Sequence, residues 1–280
     1  MTGDGLTESG RIERREFERG HIGPGDEPVE PRPAATMVMV RAGGAGAPLE
    51  VLLLRRPDTA RFGAGAHVFP GGVVDPGDRG TALDGRTGES GGVPERAALV
   101  TALREAFEET GLLPADRLPG ADRLRAAREE LLAGELTFAE LIHRYDLTFR
   151  GLRVAYFARW VTPPLLSRRY DARFFLAAHR GGEPRLIHDE HTEARWIEPG
   201  EALRRFEAGG LPMLYPTRKT TAELARFGSL DEAFESFRRR RVEPVRPRLR
   251  VEGETVVPVL PGEPGYDEAG PRGASSPPRG

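Results

Sequence analysis

Hydrophobic and polar residues alternate in blocks along the middle of the chain, and these blocks predict a mixture of strands and helices. Short apolar runs predict strands at residues 35–41, 49–55, 152–161, 172–178 and 194–197. The strongest helix signal covers residues 95–110, which follow a proline, are rich in Ala and Leu, and end at Gly111. Further helices are predicted at residues 121–133, 137–145 and 230–241, and one begins at Glu198. Because strands and helices do not alternate strictly, the pattern predicts an α+β sandwich in one domain.

The two ends of the chain lack this periodicity. Residues 1–33 mix opposite charges and then become rich in proline, so we interpret them as a flexible N-terminal tail that buries too little apolar surface to offset the entropy of ordering. Residues 243–280 form a Pro/Gly-rich C-terminal extension, with a candidate strand at 251–260 and an end that is expected to be disordered. The folded domain is placed at 34–242. It includes a turn-rich loop insertion at 79–95 and a helical insertion at 114–146, which forms either a lid or the contact of a homodimer.

Composition narrows the classes of protein. The 280 residues carry a net charge of −2, so there is no global basic field to attract nucleic acid. No uncharged apolar run approaches the roughly 20 residues that cross a bilayer, and the first residues lack the apolar centre of a secretory signal. Cysteine is absent, which excludes disulfides, zinc–thiolate sites and thiol nucleophiles. We therefore expect a cytoplasmic protein without a nucleic-acid or membrane partner.

Three glutamates on one turn of the strongest helix carry the candidate chemistry. Glu105 and Glu109 lie one turn apart, and Glu108 lies beside them. Like charges at this spacing repel one another, whereas a hard divalent cation such as Mg²⁺ or Mn²⁺ is stabilised by clustered oxygen ligands. The alternative interpretation is a solvated acidic helix face.

The surroundings of the glutamates resemble the box of the Nudix hydrolase family, G-x5-E-x7-R-E-U-x-E-E-x-G-U, in which U is a bulky aliphatic residue. Gly72 matches the first glycine, and the second half is matched by Arg104, Glu105, Glu108, Glu109, Gly111 and Leu112. Asp78 stands where the box has its first Glu, and 25 residues separate it from Arg104. Such an insertion is a feature of the branch that contains the peroxisomal coenzyme A diphosphatase of animals and its bacterial relatives. Asp78 or Glu95 takes the part of the first Glu, and the spacing favours Asp78.

A second motif is similar to the leader of coenzyme A-cleaving Nudix enzymes, LLTxR[SA]x3Rx3Gx3FPGG. The segment LLLRRP at residues 52–57 is followed in register by Arg61, Gly65 and the FPGG of residues 69–72. Leu54 replaces Thr and Pro57 replaces Ser or Ala. The alternative interpretation is an edge strand whose arginines extend their charged ends to solvent.

The resemblance implies a Nudix-type α/β/α sandwich with a mixed β-sheet, a helical insertion and a Mg²⁺ or Mn²⁺ cofactor. Glu105 and Glu109 would be the principal metal ligands, assisted by Glu108 and the Gly72 carbonyl. Arg104 would orient the glutamates through Asp78, with Gly71 and Gly111 in structural roles. Glu190 is the first candidate for the general base and Glu193 the second, although Glu193 could instead pair with Arg195. His188 and His191 leave zinc open as a minor alternative.

The substrate implied by the leader is coenzyme A or acyl-coenzyme A, cleaved to 3′,5′-ADP and (acyl-)4′-phosphopantetheine. Its 3′-phosphate calls for a locally basic pocket, for which six arginines are available: Arg55, Arg56, Arg61, Arg168, Arg169 and Arg173. We take the substrate-binding residues to be Arg56, Arg61, Arg168, Arg169 and Phe69. The alternatives are the same chemistry on ADP-ribose or NADH, and a Nudix-fold ligand sensor without catalysis.

Overall fold

The computed structural model describes residues 12–13, 27, 29–44, 47–60, 63–80, 82–87, 93–164, 166–179, 182–186 and 190–269. The strands are β1 (Ile12–Glu13), β2 (Arg32–Ala42), β3 (Leu49–Arg55), β4 (His67–Val68), β5 (Gly71–Val73), β6 (Val154–Val161), β7 (Tyr170–Ala178), β8 (Glu193–Ile197), β9 (Pro244–Val245), β10 (Arg248–Glu252) and β11 (Thr255–Val259). The helices are α1 (Val93–Thr110), α2 (Ala121–Leu132), α3 (Phe138–Arg144), α4 (Pro199–Glu207), α5 (Tyr215–Leu224) and α6 (Leu230–Arg238). A short 3₁₀ helix covers Pro76–Arg79.

A mixed eight-stranded sheet forms the centre of the molecule. Its strand order is β4-β3-β2-β7-β6-β9, with β5 paired to β2 and β8 paired to β3. The long β2 runs parallel to β7 from Arg32 opposite Tyr170 to Val40 opposite Ala178, whereas β3, β5 and β8 pair antiparallel. A smaller sheet joins β1, β11 and β10.

Helices cover both faces of the large sheet, which confirms the predicted α/β/α sandwich. Because successive strand side chains point to opposite faces, each long strand contributes to two separate cores. The first core packs α1, α2 and α3 against one face, and the second packs α4, α5 and α6 against the other. Neighbouring residues divide between the two cores, as in the pairs Met37 and Val38, Leu52 and Leu53, and Phe175 and Leu176.

The predicted elements are present, with boundaries that agree to within three residues, and the structure contains further elements that the pattern did not predict. Helix α5 was not predicted because Thr217, Thr220 and Thr221 lower its intrinsic helix propensity. All three threonines are buried, so tertiary packing holds this helix. The candidate strand at 251–260 is in fact the second half of a hairpin, since β10 and β11 turn at Gly253, whose φ is +60°.

The expected ends of the domain differ in detail from the observed strands. Strand β2 begins at Arg32, two residues before the expected start at 34, and Ile12–Glu13 in the expected tail pairs with β11. In the expected C-terminal extension, β9 joins the large sheet beside β6. Most of the N-terminal tail and the last eleven residues, 270–280, lie outside the described residues.

Candidate active site

Helix α1 presents its glutamates at the edge of the first core. Its sheet-facing side is apolar and buried through Ala98, Ala102 and Ala106, so the neighbouring Glu105 and Glu109 are only partly exposed. The helix ends at Gly111, whose φ of +71° is a conformation that favours glycine.

The helical insertion secures the end of α1. Arg128 on α2 is buried, and its Nε donates to the backbone carbonyl of Glu108 at 3.0 Å, while its Nη1 donates to the carbonyl of Arg185 at 2.7 Å. A cation bonded to the last carbonyls of a helix satisfies acceptors that the helix itself leaves open. The insertion therefore supports the turn that carries the glutamates.

The paired glycines of β5 lie directly against these carboxylates. The Gly71 backbone N–H donates to Glu109 Oε2 at 3.3 Å. A Cβ placed on Gly72 would lie 2.3 Å from Glu105 Oε1, and one on Gly71 would lie 2.5 Å from the carbonyl oxygen of Ala35. A side chain at position 71 would therefore meet the β2 backbone, whereas one at position 72 would displace the Glu105 carboxylate.

Asp78, the residue that the spacing of the box favours, forms an ion pair with Arg104. The Arg104 Nε and Nη2 donate to the two Asp78 oxygens at 3.0 and 2.9 Å, and Asp78 also accepts from Thr101 Oγ1 at 2.8 Å. The same guanidinium donates through Nη1 to Glu105 at 2.9 Å and to Glu108 at 2.8 Å. Burial alone would lower the pKa of Arg104, but the bonds to Asp78 and the negative charges of Glu105 and Glu108 outweigh it and raise that pKa. Arg104 thus links the 3₁₀ helix to two of the glutamates.

Burial and mutual repulsion raise the pKa of all three glutamates. Desolvation is the largest cause in each case. It raises the pKa of Glu108 to about 7, although Arg104 opposes the shift. Burial, followed by repulsion from Glu105 and Glu190, raises the pKa of Glu109 well above its usual range, and the hydrogen bond from the Gly71 N–H opposes this shift. The charged forms of these clustered carboxylates are therefore unfavourable in the protein alone. A divalent cation would stabilise them, so the cluster fits such an ion.

The loop before β8 completes the cluster. Glu109, Glu190 and His191 each offer a ligand atom, and these atoms all lie within 4.8 Å of one another. Glu190 is exposed, whereas His191 is buried. Burial, with the charge of Arg56 as the smaller cause, lowers the pKa of His191 to about 4, so the imidazole is neutral and has a lone pair for a ligand. His188, its partner in the zinc alternative, lies outside the described residues.

Glu193, the second candidate for the general base, lies on the opposite face of the sheet from Ala194 and the first core. It begins β8, whose next residue, Ala194, packs against the first core, so Glu193 points to the opposite face of the sheet. There it accepts a hydrogen bond from Arg195 Nε at 2.7 Å. The structure separates the two candidate bases and brings only Glu190 to the carboxylates.

The next four residues are those that the sequence analysis expects, besides Arg56, to bind the substrate. Phe69 is 4% exposed and packs in the second core, on the opposite face of the sheet. Arg168 is exposed in the β6–β7 connection, and Arg169 donates to the carbonyls of Thr162 and Val29. Arg61 lies outside the described residues.

Two residues near the site had weak signals in the sequence. In the sequence, His191 stands out only as one of the two histidines of the zinc alternative. Its proximity to Glu109 depends on tertiary structure. Arg173 on β7 is the sixth arginine of the expected set, and it lies in register with Ala35, which is opposite Gly72. It is 9% exposed, and its Nε has no hydrogen-bond partner among the described residues.

An α/β/α sandwich whose buried helix gathers carboxylates beside a glycine bend is the arrangement of the Nudix class. The family model described as the NUDIX domain matches residues 30–215. The chain belongs to the Nudix family. Nudix enzymes act on small nucleotide substrates and generally use divalent metals. This chain is a hydrolase that acts on pyrophosphate bonds. Within the described residues, no helix is long and apolar enough to cross a membrane.

Individual proteins show the same similarity. The acyl-coenzyme A diphosphatase NUDT19 of Homo sapiens is 28% identical over 273 residues, covering 78% of this chain and 72% of that protein. The protein of the same name from Gallus gallus is 26% identical over 300 residues, covering 84% and 79%. The crystal structure of a NUDIX hydrolase from Alicyclobacillus acidocaldarius is 32% identical, with a TM-score of 0.61, and covers 74% of this chain and 96% of that one.

Proposed function

We propose that this protein hydrolyses the pyrophosphate of coenzyme A or acyl-coenzyme A with the help of Mg²⁺ or Mn²⁺, giving 3′,5′-ADP and (acyl-)4′-phosphopantetheine. The observation that carries the proposal is the convergence of Glu105 and Glu109 on the glycine bend, with Glu190 and His191 beside Glu109. The choice of coenzyme A is supported by the leader motif and by the names of the two animal relatives.

The carboxylates of Glu105 and Glu109 are the proposed principal metal ligands, with Glu108, the Gly72 carbonyl and neutral His191 as further donors. This donor set is mostly oxygen, as Mg²⁺ and Mn²⁺ prefer. A bound dication would neutralise charge on the phosphate oxygens and polarise the phosphorus for attack by water. Arg104 contributes by fixing the carboxylates of Glu105 and Glu108 against Asp78.

Glu190 is the proposed general base. Its carboxylate accepts no hydrogen bond from the described residues, it is exposed, and it lies beside Glu109, so a water molecule has access to it. The base would take the proton of the attacking water, and the leaving phosphate oxygen would depart on the opposite side of the phosphorus. Arg56 lies close enough to lower the pKa of His191, and we propose that it binds a phosphate of the substrate.

A substrate panel tests the proposal. Coenzyme A, acyl-coenzyme A, ADP-ribose and NADH are incubated with Mg²⁺ or Mn²⁺, and the products are separated and identified by mass. We expect 3′,5′-ADP and a phosphopantetheine from the first two substrates, and a loss of turnover by orders of magnitude in Glu109→Gln. Turnover of ADP-ribose alone would contradict the coenzyme A assignment. A Glu109→Gln variant that kept its ligand response, with no turnover in wild type, would indicate a sensor.

A further inference from the structure

A polar cavity lies on the opposite face of the sheet from the glutamates. It has a volume of about 580 Å³, within the range of small-molecule sites. Its floor is a row of paired strand residues, since Arg55 of β3 is opposite both His67 of β4 and Glu193 of β8, and Arg195 is in the next row. The wall is the segment 209–212 between α4 and α5.

His67, which lines this cavity, has an unsatisfied buried acceptor. The side chain is 4% exposed, and its Nδ1 lies 3.0 Å from the carbonyl oxygen of Pro212. Because a carbonyl can only accept, Nδ1 carries the hydrogen and Nε2 keeps the lone pair. This Nε2 is buried and has no partner among the described residues. A buried acceptor without a donor destabilises the protein, so the position favours a ligand that brings an N–H or O–H.

The charged side chains of the cavity narrow the class of ligand. Arg55 donates to Asp58 at 2.5 Å, and Arg195 pairs with Glu193, so the two cations and two anions balance. A charged lining of this kind excludes an acyl chain. Guanidinium planes stack on aromatic rings and also bind phosphate oxygens, while the carboxylates accept from hydroxyl and amino groups. A purine base with an exocyclic amine and an attached ribose phosphate matches all of these groups.

Two chain segments connect the cavity with the carboxylate cluster. Glu193 in the floor is two residues from His191 in the carboxylate cluster, a chain distance of about 7 Å. Gly65 of the leader segment is part of the lining, and the same segment continues to the glycine bend. One nucleotide could therefore bind with its pyrophosphate at the glutamates and its base in the cavity, on either side of the end of β3.

We propose that the cavity binds the adenine base of the substrate, with the exocyclic amine donating to His67 Nε2 and with Arg55 and Arg195 next to the base and its ribose phosphate. The proposal rests on the proposed function for the identity of the substrate. Adenine differs from hypoxanthine at the group that faces Nε2, because hypoxanthine has a carbonyl in place of the amine. Two acceptors would then face each other, and a site built around a hydrogen bond rejects such an analogue strongly.

The experiment compares coenzyme A with its hypoxanthine analogue in wild type and in His67→Leu. Wild type is expected to cleave the analogue with kcat/KM at least about tenfold lower, and His67→Leu is expected to cleave both substrates at similar, reduced rates. His143→Leu, which changes an exposed histidine on α3, is the matched control and should keep the wild-type preference. Equal rates for the two substrates in wild type, or an unchanged preference in His67→Leu, would overturn the proposal.

Two further measurements separate the possible failures. If wild type cleaves ADP-ribose but not coenzyme A, the substrate assignment is wrong, and the same comparison is made with ADP-ribose and its hypoxanthine analogue. The adenine site is supported if wild type prefers ADP-ribose to its hypoxanthine analogue and His67→Leu does not. Any other result would overturn it. If His67→Leu does not fold, calorimetry on wild type compares 3′,5′-ADP with its hypoxanthine counterpart. Tighter binding of the adenine compound is expected, and equal affinity would overturn the proposal.

Discussion

Alanine at each of the two paired glycines is predicted to damage the protein in different ways. In Gly72→Ala the new Cβ would lie 2.3 Å from Glu105 Oε1, so the carboxylate must move by about 1.1 Å to reach an ordinary contact of 3.4 Å. The obstacle is the end of a side chain, which can move without unfolding the strand. A displacement of about 1 Å in a catalytic group costs on the order of 10²-fold in rate.

Gly71→Ala is the matched comparison. Its Cβ would lie 2.5 Å from the Ala35 carbonyl oxygen and 2.9 Å from the Thr36 Cα, which are backbone atoms of the central β2. Overpacking against backbone that cannot move costs about 1–3 kcal/mol or more, so this variant should lose stability.

The assay measures kcat, Mn²⁺ affinity and thermal unfolding for both variants. Gly72→Ala should retain a melting temperature near that of wild type, with kcat reduced about 10²-fold and weaker Mn²⁺ binding. Gly71→Ala should show a clear drop in melting temperature. The reasoning is refuted if Gly72→Ala keeps full activity, or if it loses stability as much as Gly71→Ala does.

Three other predictions follow from the same geometry. Asp78→Ala leaves the Arg104 guanidinium without its main partner and should lower the free energy of unfolding by about 3–5 kcal/mol in denaturant titrations, whereas Glu95→Ala should change it little. Glu190→Gln should reduce kcat by orders of magnitude and Glu193→Gln only slightly; the reverse order would exclude Glu190 as the base. Burial lowers the pKa of His67, so the contribution of this residue to stability is fully present above the usual value of about 6.5 and is lost as the pH falls below it. In His67→Leu the free energy of unfolding, measured from pH 7 to 5, should depend less on pH, by up to about 1.4 kcal/mol per pH unit.

The sequence predicted features that depend on local spacing. The turn that carries Glu105 and Glu109 follows from helix periodicity, and Gly111 marks its end. The ion pair between Asp78 and Arg104 crosses a long insertion, and only the family resemblance indicated it. Helix α5 forms although its threonines have a low intrinsic helix propensity, because the packing of their buried side chains outweighs that propensity.

Features that depend on which face of the sheet a residue occupies could not be predicted from motif spacing. Phe69 is part of the FPGG segment, yet it packs in the core opposite the glutamates. Glu193 is three residues after Glu190 and reaches the other face because β8 begins there. Proximity of His191 to Glu109 joins residues 82 positions apart, and no pattern in the chain specifies it.

The most direct test of the metal site is a titration of Mn²⁺ into wild type, Glu109→Gln and Glu193→Gln, followed by electron paramagnetic resonance. The substitution of Gln for Glu removes one charge and keeps the shape of the side chain. Glu109→Gln is predicted to bind Mn²⁺ at least about tenfold more weakly than wild type, because Glu109 lies among Glu105, Glu190 and His191. Glu193→Gln should bind like wild type. Equal Mn²⁺ affinity in Glu109→Gln and wild type would contradict the claim that these carboxylates form the metal site.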